Sequence, residues 1–183
     1  MDTKQLINEY NGKIKRVLVT KEEIDAKIVE AGKFIDSIYD GRPILLVSIL
    51  KGSFVFLADI CRATTVPVEI GFMCAKSYYA STESSGEVSI VMDLDRDVSG
   101  YHLVIVEDII DTGRTLKLIA EELKSRNPIS FTVVTLLDKP SRRTVEFEAD
   151  MALFTIPDHF VIGYGLDCAE IYRNLPYIAE YGE

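Results

Sequence analysis

Three continuous apolar runs constrain this chain more than any other feature. Residues 43–50 (PILLVSIL), 101–109 (YHLVIVEDI) and 129–140 (ISFTVVTLLDKP) each read as a buried strand that ends in polar residues. A strand that is apolar on both faces needs cover on both, which is the situation inside a parallel sheet. Helical patterns separate the runs. Residues 20–39 open with Thr20 and Glu23 in capping-box spacing and keep Ile24, Ile28, Ala31, Ile35 and Ile38 on one face. FVFLADICRA (54–63) reads as helical. Past Gly113, Leu116, Ile119, Ala120 and Leu123 repeat at helical spacing, up to a stop near Asn127-Pro128.

Residues 66–79 are strand-like, 87–95 suit a hairpin strand, and 149–157 and 160–167 supply two shorter strands. The expected class is therefore α/β, with a mostly parallel central sheet flanked by helices. Ligands of such sheets sit beyond the carboxyl ends of the strands. The polar punctuation lies at those ends: Lys51-Gly52, Glu107-Asp108 and Asp138-Lys139.

The chain has 183 residues and no internal repeat or linker, so a single domain is expected. Its formal net charge of −9 argues against nucleic-acid or anionic-membrane partners. No apolar run approaches membrane-spanning length, and Cys61, Cys74 and Cys168 are odd in number and scattered; a reduced, cytoplasmic setting is expected. Two histidines, His102 and His159, make a His/Cys zinc site a poor expectation. No G-x-G-x-x-G follows a strand, and Lys51-Gly52-Ser53 lacks the glycines that precede a P-loop lysine.

The most informative stretch is residues 104–116, VIVEDIIDTGRTL. A loop from Asp111 to Thr115 joins a strand to a helix N-terminus, where free amides, the helix dipole and the hydroxyls of Thr112 and Thr115 would hold a phosphate. Gly113 permits a backbone turn and a close approach. Glu107 and Asp108 would repel that phosphate, so they must serve another part of the ligand. Carboxylates accept from vicinal hydroxyls and bind hydrated Mg²⁺. A ribose 5-phosphate activated by pyrophosphate meets all of these demands.

These residues resemble the phosphoribosyl-pyrophosphate (PRPP) signature of the type I phosphoribosyltransferases. LKGS (50–53), KSYY (76–79), LLDKPSRR (136–143) and residues 156–178 extend the resemblance over nearly the whole chain, toward the hypoxanthine-guanine branch. The resemblance implies a PRPP-binding core at about 20–149, under a small hood built from the N-terminal segment and about 150–183. It implies Mg²⁺-dependent transfer of a 5-phosphoribosyl group from PRPP to hypoxanthine or guanine, giving IMP or GMP and pyrophosphate, in a homodimer or homotetramer.

By the same resemblance, Glu107 and Asp108 contact the ribose hydroxyls and share Mg²⁺ with Asp167. Asp111, Thr112, Gly113, Arg114 and Thr115 hold the 5-phosphate, and Asp111 is the general base. Lys51, Gly52 and Arg173 face pyrophosphate, with a cis peptide possible between Lys51 and Gly52. Lys139 reads the 6-oxo group, a choice its donor-only ammonium suits. Phe160 stacks on the purine and the Val161 backbone meets its edge. A loop from Ser77-Tyr78 through residue 87 closes as a lid. The alternative is a regulator of this fold that senses PRPP or nucleotide and binds nucleic acid.

Overall fold

The computed structural model describes residues 10–77 and 88–182. After β1 (Ile14–Val19) the chain enters α1 (Lys21–Tyr39) through the expected capping box: the Glu23 amide donates to Thr20 Oγ1 at 3.2 Å and the Thr20 amide to Glu23 Oε2 at 2.8 Å. The first apolar run becomes β2 (Ile44–Leu50), followed by α2 (Phe54–Ala63). Next come β3 (Val68–Ser77), β4 (Val88–Met92) and β5 (His102–Ile110). Then α3 (Arg114–Ser125) leads to β6 (Ser130–Asp138), β7 (Met151–Thr155), β8 (Val161–Ile162) and β9 (Ile178–Tyr181).

Among the described residues, six strands form one sheet in the order β4-β3-β2-β5-β6-β7. Only β4 runs antiparallel to its neighbour. The unbroken apolar runs are explained by what covers them. Ile44 and Leu46 of β2, with Val104 and Val106 of β5, pack on Ile24, Ile28 and Ile35 of α1 and Phe56 and Ile60 of α2. The intervening Leu45, Val47, Leu103 and Ile105 meet Leu116, Ile119 and Leu123 of α3 on the opposite face. Successive side chains of a strand point to opposite faces, so two buried faces keep both sets largely apolar, and the buried Ser48 of β2 is satisfied by Ser53 Oγ at 2.6 Å. Each such side chain contributes about 1.5–3 kcal/mol of burial.

From β2 the chain moves outward to β3 and β4, then returns to the other side of β2 as β5 and continues outward through β6 and β7. Between β2 and β5 the direction of winding reverses. At such a point the loops beyond neighbouring strands diverge and leave a crevice. The two loops are the one after Leu50, marked by Lys51-Gly52, and the one after Ile110; Glu107 and Asp108, expected at the strand end, lie within β5.

The remaining strands make a small antiparallel sheet, β1-β9-β8, that joins the two ends of the chain. Its C-terminal share begins at Val161. β7 pairs with β6, with Leu137 opposite Phe154, because its Leu153 is buried in the same core as α1. No helix among the described residues is long and apolar enough to cross a membrane.

Candidate active site

The N-cap of α3 is Gly113, whose φ of +81° places it in the left-handed region and which has no side chain to cap the helix; the Thr112 hydroxyl accepts from the Arg114 amide at 3.5 Å. Asp111 is therefore not an N-cap. The first turn of α3 carries no acidic residue either. The positive dipole end of the helix therefore meets no carboxylate from its own first turn and favours an anion. A Cβ on Gly113 would come within 2.9 Å of Arg143 Cδ and 3.2 Å of Val145 Cγ2, so both the conformation and the space call for glycine.

A cavity of about 290 Å³ opens against this helix end, lined by Lys51 and Gly52, by Glu107 and Asp108, and by Asp111 through Gly113 with Thr115. The loops from β2 and β5 thus meet across the switch point. Gly52 lies directly against the Asp108 carboxylate, and a Cβ at position 52 would collide with it. On its other side, the Gly52 carbonyl occupies the place a Cβ on Gly165 would need. Gly52→Ala is expected to lower the unfolding free energy by about 1–3 kcal/mol, the range for overpacking a close contact. Urea denaturation measures it; an unshifted midpoint would mean the carboxylate yields without cost. The cis peptide of this loop lies between Leu50 and Lys51, one bond earlier than the resemblance implied.

Glu107 and Asp108 end up in different surroundings. Asp108 is buried and accepts from the Ile109 amide at 2.7 Å. Burial pushes its pKa up to about 6, against the pull of main-chain amides and Arg173, while Asp167 pushes it further up. Glu107 Oε2 is sealed from solvent with no hydrogen-bond partner among the described residues. Burial, with the Asp108 carboxylate beside it, pushes Glu107 well above the ordinary carboxylate range. Two costly carboxylates, one with an orphaned oxygen, are what a site for a cation or a hydroxyl donor requires.

Asp167 follows the turn through Gly163 and Gly165. Its Oδ1 pairs with Arg173 Nη2 at 2.8 Å and its Oδ2 accepts from the Glu170 amide at 2.9 Å. Arg173 also donates to the Gly165 carbonyl at 2.8 Å. Glu170, which sequence reasoning passed over, bridges Lys51 (2.9 Å) and Arg173 (3.2 Å). The three cationic and acidic groups expected near pyrophosphate therefore share one network. No group of three or more His, Cys, Asp or Glu side chains among the described residues forms a ready metal cage. One or two carboxylates completed by substrate oxygens is the arrangement Mg²⁺ favours, and Asp108 and Asp167 fit it.

On the other flank, Lys139 ends up buried. Its Nζ donates to the His159 carbonyl at 2.6 Å and lies 3.9 Å from Asp158. That places it beside Phe160, which is 58% exposed and meets Tyr181 edge-on at 5.6 Å. An open aromatic face next to a buried ammonium can receive a flat heterocycle with an exocyclic oxygen. Val161 is buried and paired with Glu180 of β9. Asp111 joins this flank through Arg142, whose Nε lies 3.1 Å from Asp111 Oδ1 and whose Nη1 lies 3.6 Å from Asp158 Oδ2. The Arg114 side chain is held by Thr144 at 3.1 Å, and its amide donates to the Thr112 hydroxyl at 3.5 Å. Ser77 closes β3, and the lid expected at Tyr78 through residue 87 lies outside the described residues.

Residues 18–169 match the model of the phosphoribosyl transferase domain family. The hypoxanthine phosphoribosyltransferase of Salmonella typhimurium is 46% identical over 166 residues, covering 90% of this chain and 93% of that one. The hypoxanthine-guanine phosphoribosyltransferase of Streptococcus pneumoniae is 47% identical over 165 residues, covering 90% and 92%. A crystal structure of a Staphylococcus aureus hypoxanthine phosphoribosyltransferase superposes with a TM-score of 0.90 at 44% identity, covering 94% of each chain.

Proposed function

The chain belongs to the phosphoribosyl transferase domain family, and from that premise we propose that it transfers the 5-phosphoribosyl group of PRPP to hypoxanthine or guanine, a purine-salvage reaction. One observation carries the reading: a helix N-terminus with no acidic residue in its first turn shares a cavity at the sheet's switch point with the buried Asp108 and with Glu107, whose Oε2 is sealed and without a partner among the described residues. Amides of residues 111–115 hold the 5-phosphate, and Glu107 and Asp108 accept from the ribose hydroxyls. Lys51, Gly52 and Arg173 face pyrophosphate. Lys139 donates to the 6-oxo group, Phe160 stacks on the ring, and the Val161 main chain meets its edge.

In the transfer, the bond from the anomeric carbon to the pyrophosphate oxygen breaks and a bond from purine nitrogen to that carbon forms. The proton lost from purine N7 goes to Asp111, and IMP or GMP leaves with pyrophosphate. Bound Mg²⁺ supplies positive charge that steadies the departing pyrophosphate, and Asp167 with Glu107 and Asp108 would hold it. Much of the acceleration comes from positioning and fixed dipoles.

A cytoplasmic place of work fits three cysteines that are all free thiols. Self-association is supported by an apolar face where Phe54, Ile70 and Phe72 are each at least 40% exposed, beside Lys51.

The test offers hypoxanthine, guanine, xanthine, adenine and orotate separately, with PRPP and Mg²⁺. Turnover with hypoxanthine or guanine is expected. Turnover only with adenine or orotate overturns the role of Lys139. No turnover with any base, together with tight RNA binding, would turn the reading to a nucleotide-sensing regulator. Asp167→Asn is expected to raise the Mg²⁺ concentration for half-maximal rate by about tenfold or more, since even outer-shell partners of a metal carry that much. An unaltered metal titration would remove Asp167 from the metal site.

A further inference from the structure

Arg143 follows Lys139 by four residues, yet its guanidinium reaches back under the phosphate loop. Nη1 donates to two main-chain oxygens, those of Ile110 at 3.2 Å and Asp111 at 2.5 Å. Nη2 pairs with the Asp138 carboxylate, and the side chain is only 15% exposed. Its stem lies against Gly113, where an added Cβ would come within 2.9 Å of Cδ. Thr144 extends the contact: its amide donates to the Thr112 carbonyl at 3.0 Å and its hydroxyl accepts from Arg114 Nε at 3.1 Å. The carbonyls of Ile110, Asp111 and Thr112 are therefore all engaged by the Arg143-Thr144 pair.

In a trans peptide the C=O and the next residue's N–H point in opposite directions. Holding those three carbonyls on one side aims the amides of Asp111, Thr112 and Gly113 to the other. The cavity is lined by these same three residues. A carbonyl that swung into it would present negative charge to an incoming anion.

We propose that Arg143 is a positioning residue for the 5-phosphate loop. It fixes the peptide planes so that amides face the anion, and through Asp138 it locks this loop to the strand end that carries Lys139. The proposal rests on the reaction assigned above and adds a residue that touches no reacting atom. A lysine would keep the charge but lose the planar fork that reaches two carbonyls and a carboxylate together.

Ribose 5-phosphate probes the loop and pyrophosphate probes the Lys51 flank, each titrated calorimetrically into the full chain. For Arg143→Met the ribose 5-phosphate affinity is expected to fall about tenfold or more, and the pyrophosphate affinity to stay within about twofold. The PRPP KM should rise more than kcat falls. In Arg143→Ala, added guanidinium ion at millimolar levels should restore part of the ribose 5-phosphate affinity. Where the Met and Ala variants fail to fold, Arg143→Lys, which keeps stem and charge, carries the same expectation of selective loss. Equal loss of both affinities, or an unchanged ribose 5-phosphate affinity in a folded variant, overturns the proposal. A wild-type chain that neither binds ribose 5-phosphate nor turns over overturns the assigned reaction and this inference together; an active wild type with an indifferent Arg143→Lys overturns this inference alone.

Discussion

Asp111→Asn is expected to cut turnover by roughly a hundred- to ten-thousandfold, the range that general-base groups contribute. The PRPP KM should stay nearly unchanged. The two effects separate because the phosphate is assigned to amides and hydroxyls of the loop, whereas the Asp111 carboxylate is turned toward the purine flank. There it is 43% exposed and paired with Arg142 at 3.1 Å. Asparagine has the same shape and keeps an oxygen to accept from Arg142, so the chain of contacts from position 111 through Arg142 to Asp158 survives. What it lacks is a site for the purine proton. Steady-state kinetics with hypoxanthine decides the matter. Unchanged turnover would remove Asp111 as the base, and a loss confined to PRPP KM would make it part of the phosphate grip.

The elements that could be read from sequence are those whose signal is local. β2, β5 and β6 announce themselves as apolar runs because both faces of each are covered. α1 carries its start signal in Thr20 and Glu23, and α3 its buried stripe in Leu116, Ile119, Ala120 and Leu123. The loop after β5 was legible for the same reason, since strand, turn and helix end lie within a dozen residues. Contacts made across the chain were not. Glu170 meets Lys51 from 119 residues away, and Arg142 meets Asp111 from 31 residues away. No periodicity announces such partners. PSRR was visible as part of a motif, but the burial of Arg143 under the loop depends on how β6 and the segment after it return over Gly113. Ala169, Glu170 and Tyr172 adopt positive φ with no glycine among them. Tertiary contacts override the local preference there, and the residue types conceal it.

Asp108→Asn is expected to make the protein more stable near neutral pH and nearly inactive. Burial raises the folded-state pKa of Asp108 to about 6 from the ordinary 3.8. Below 3.8 the carboxyl is protonated in both folded and unfolded chains, and the site costs nothing. Between 3.8 and about 6 the folded chain holds a proton that the unfolded chain has released, so stability falls as pH rises through that window. Above it the full penalty persists, roughly 3 kcal/mol for a gap of this size. Glu107 is shifted in the same direction, by burial and by the Asp108 carboxylate, and adds to the loss as pH rises. Asparagine keeps an oxygen for the Ile109 amide but leaves its own amide group beside Gly52 without an assigned acceptor, which takes back part of the gain. The stability change on substitution should therefore be about 2–3 kcal/mol more favourable at pH 7.5 than at pH 4, with a net gain of up to about 2 kcal/mol at pH 7.5 and a net loss at pH 4, because the unpaired amide costs the same at both. Urea denaturation at the two pH values measures it, and an equal change at both, or a loss at pH 7.5, would show that the carboxylate is not strained by burial. The wild type recovers the same energy only when a cation or sugar hydroxyls meet the carboxylate. PRPP with Mg²⁺ should therefore raise the melting temperature of the wild type more than that of the variant. Stability is withheld from the empty site so that it can be returned on binding.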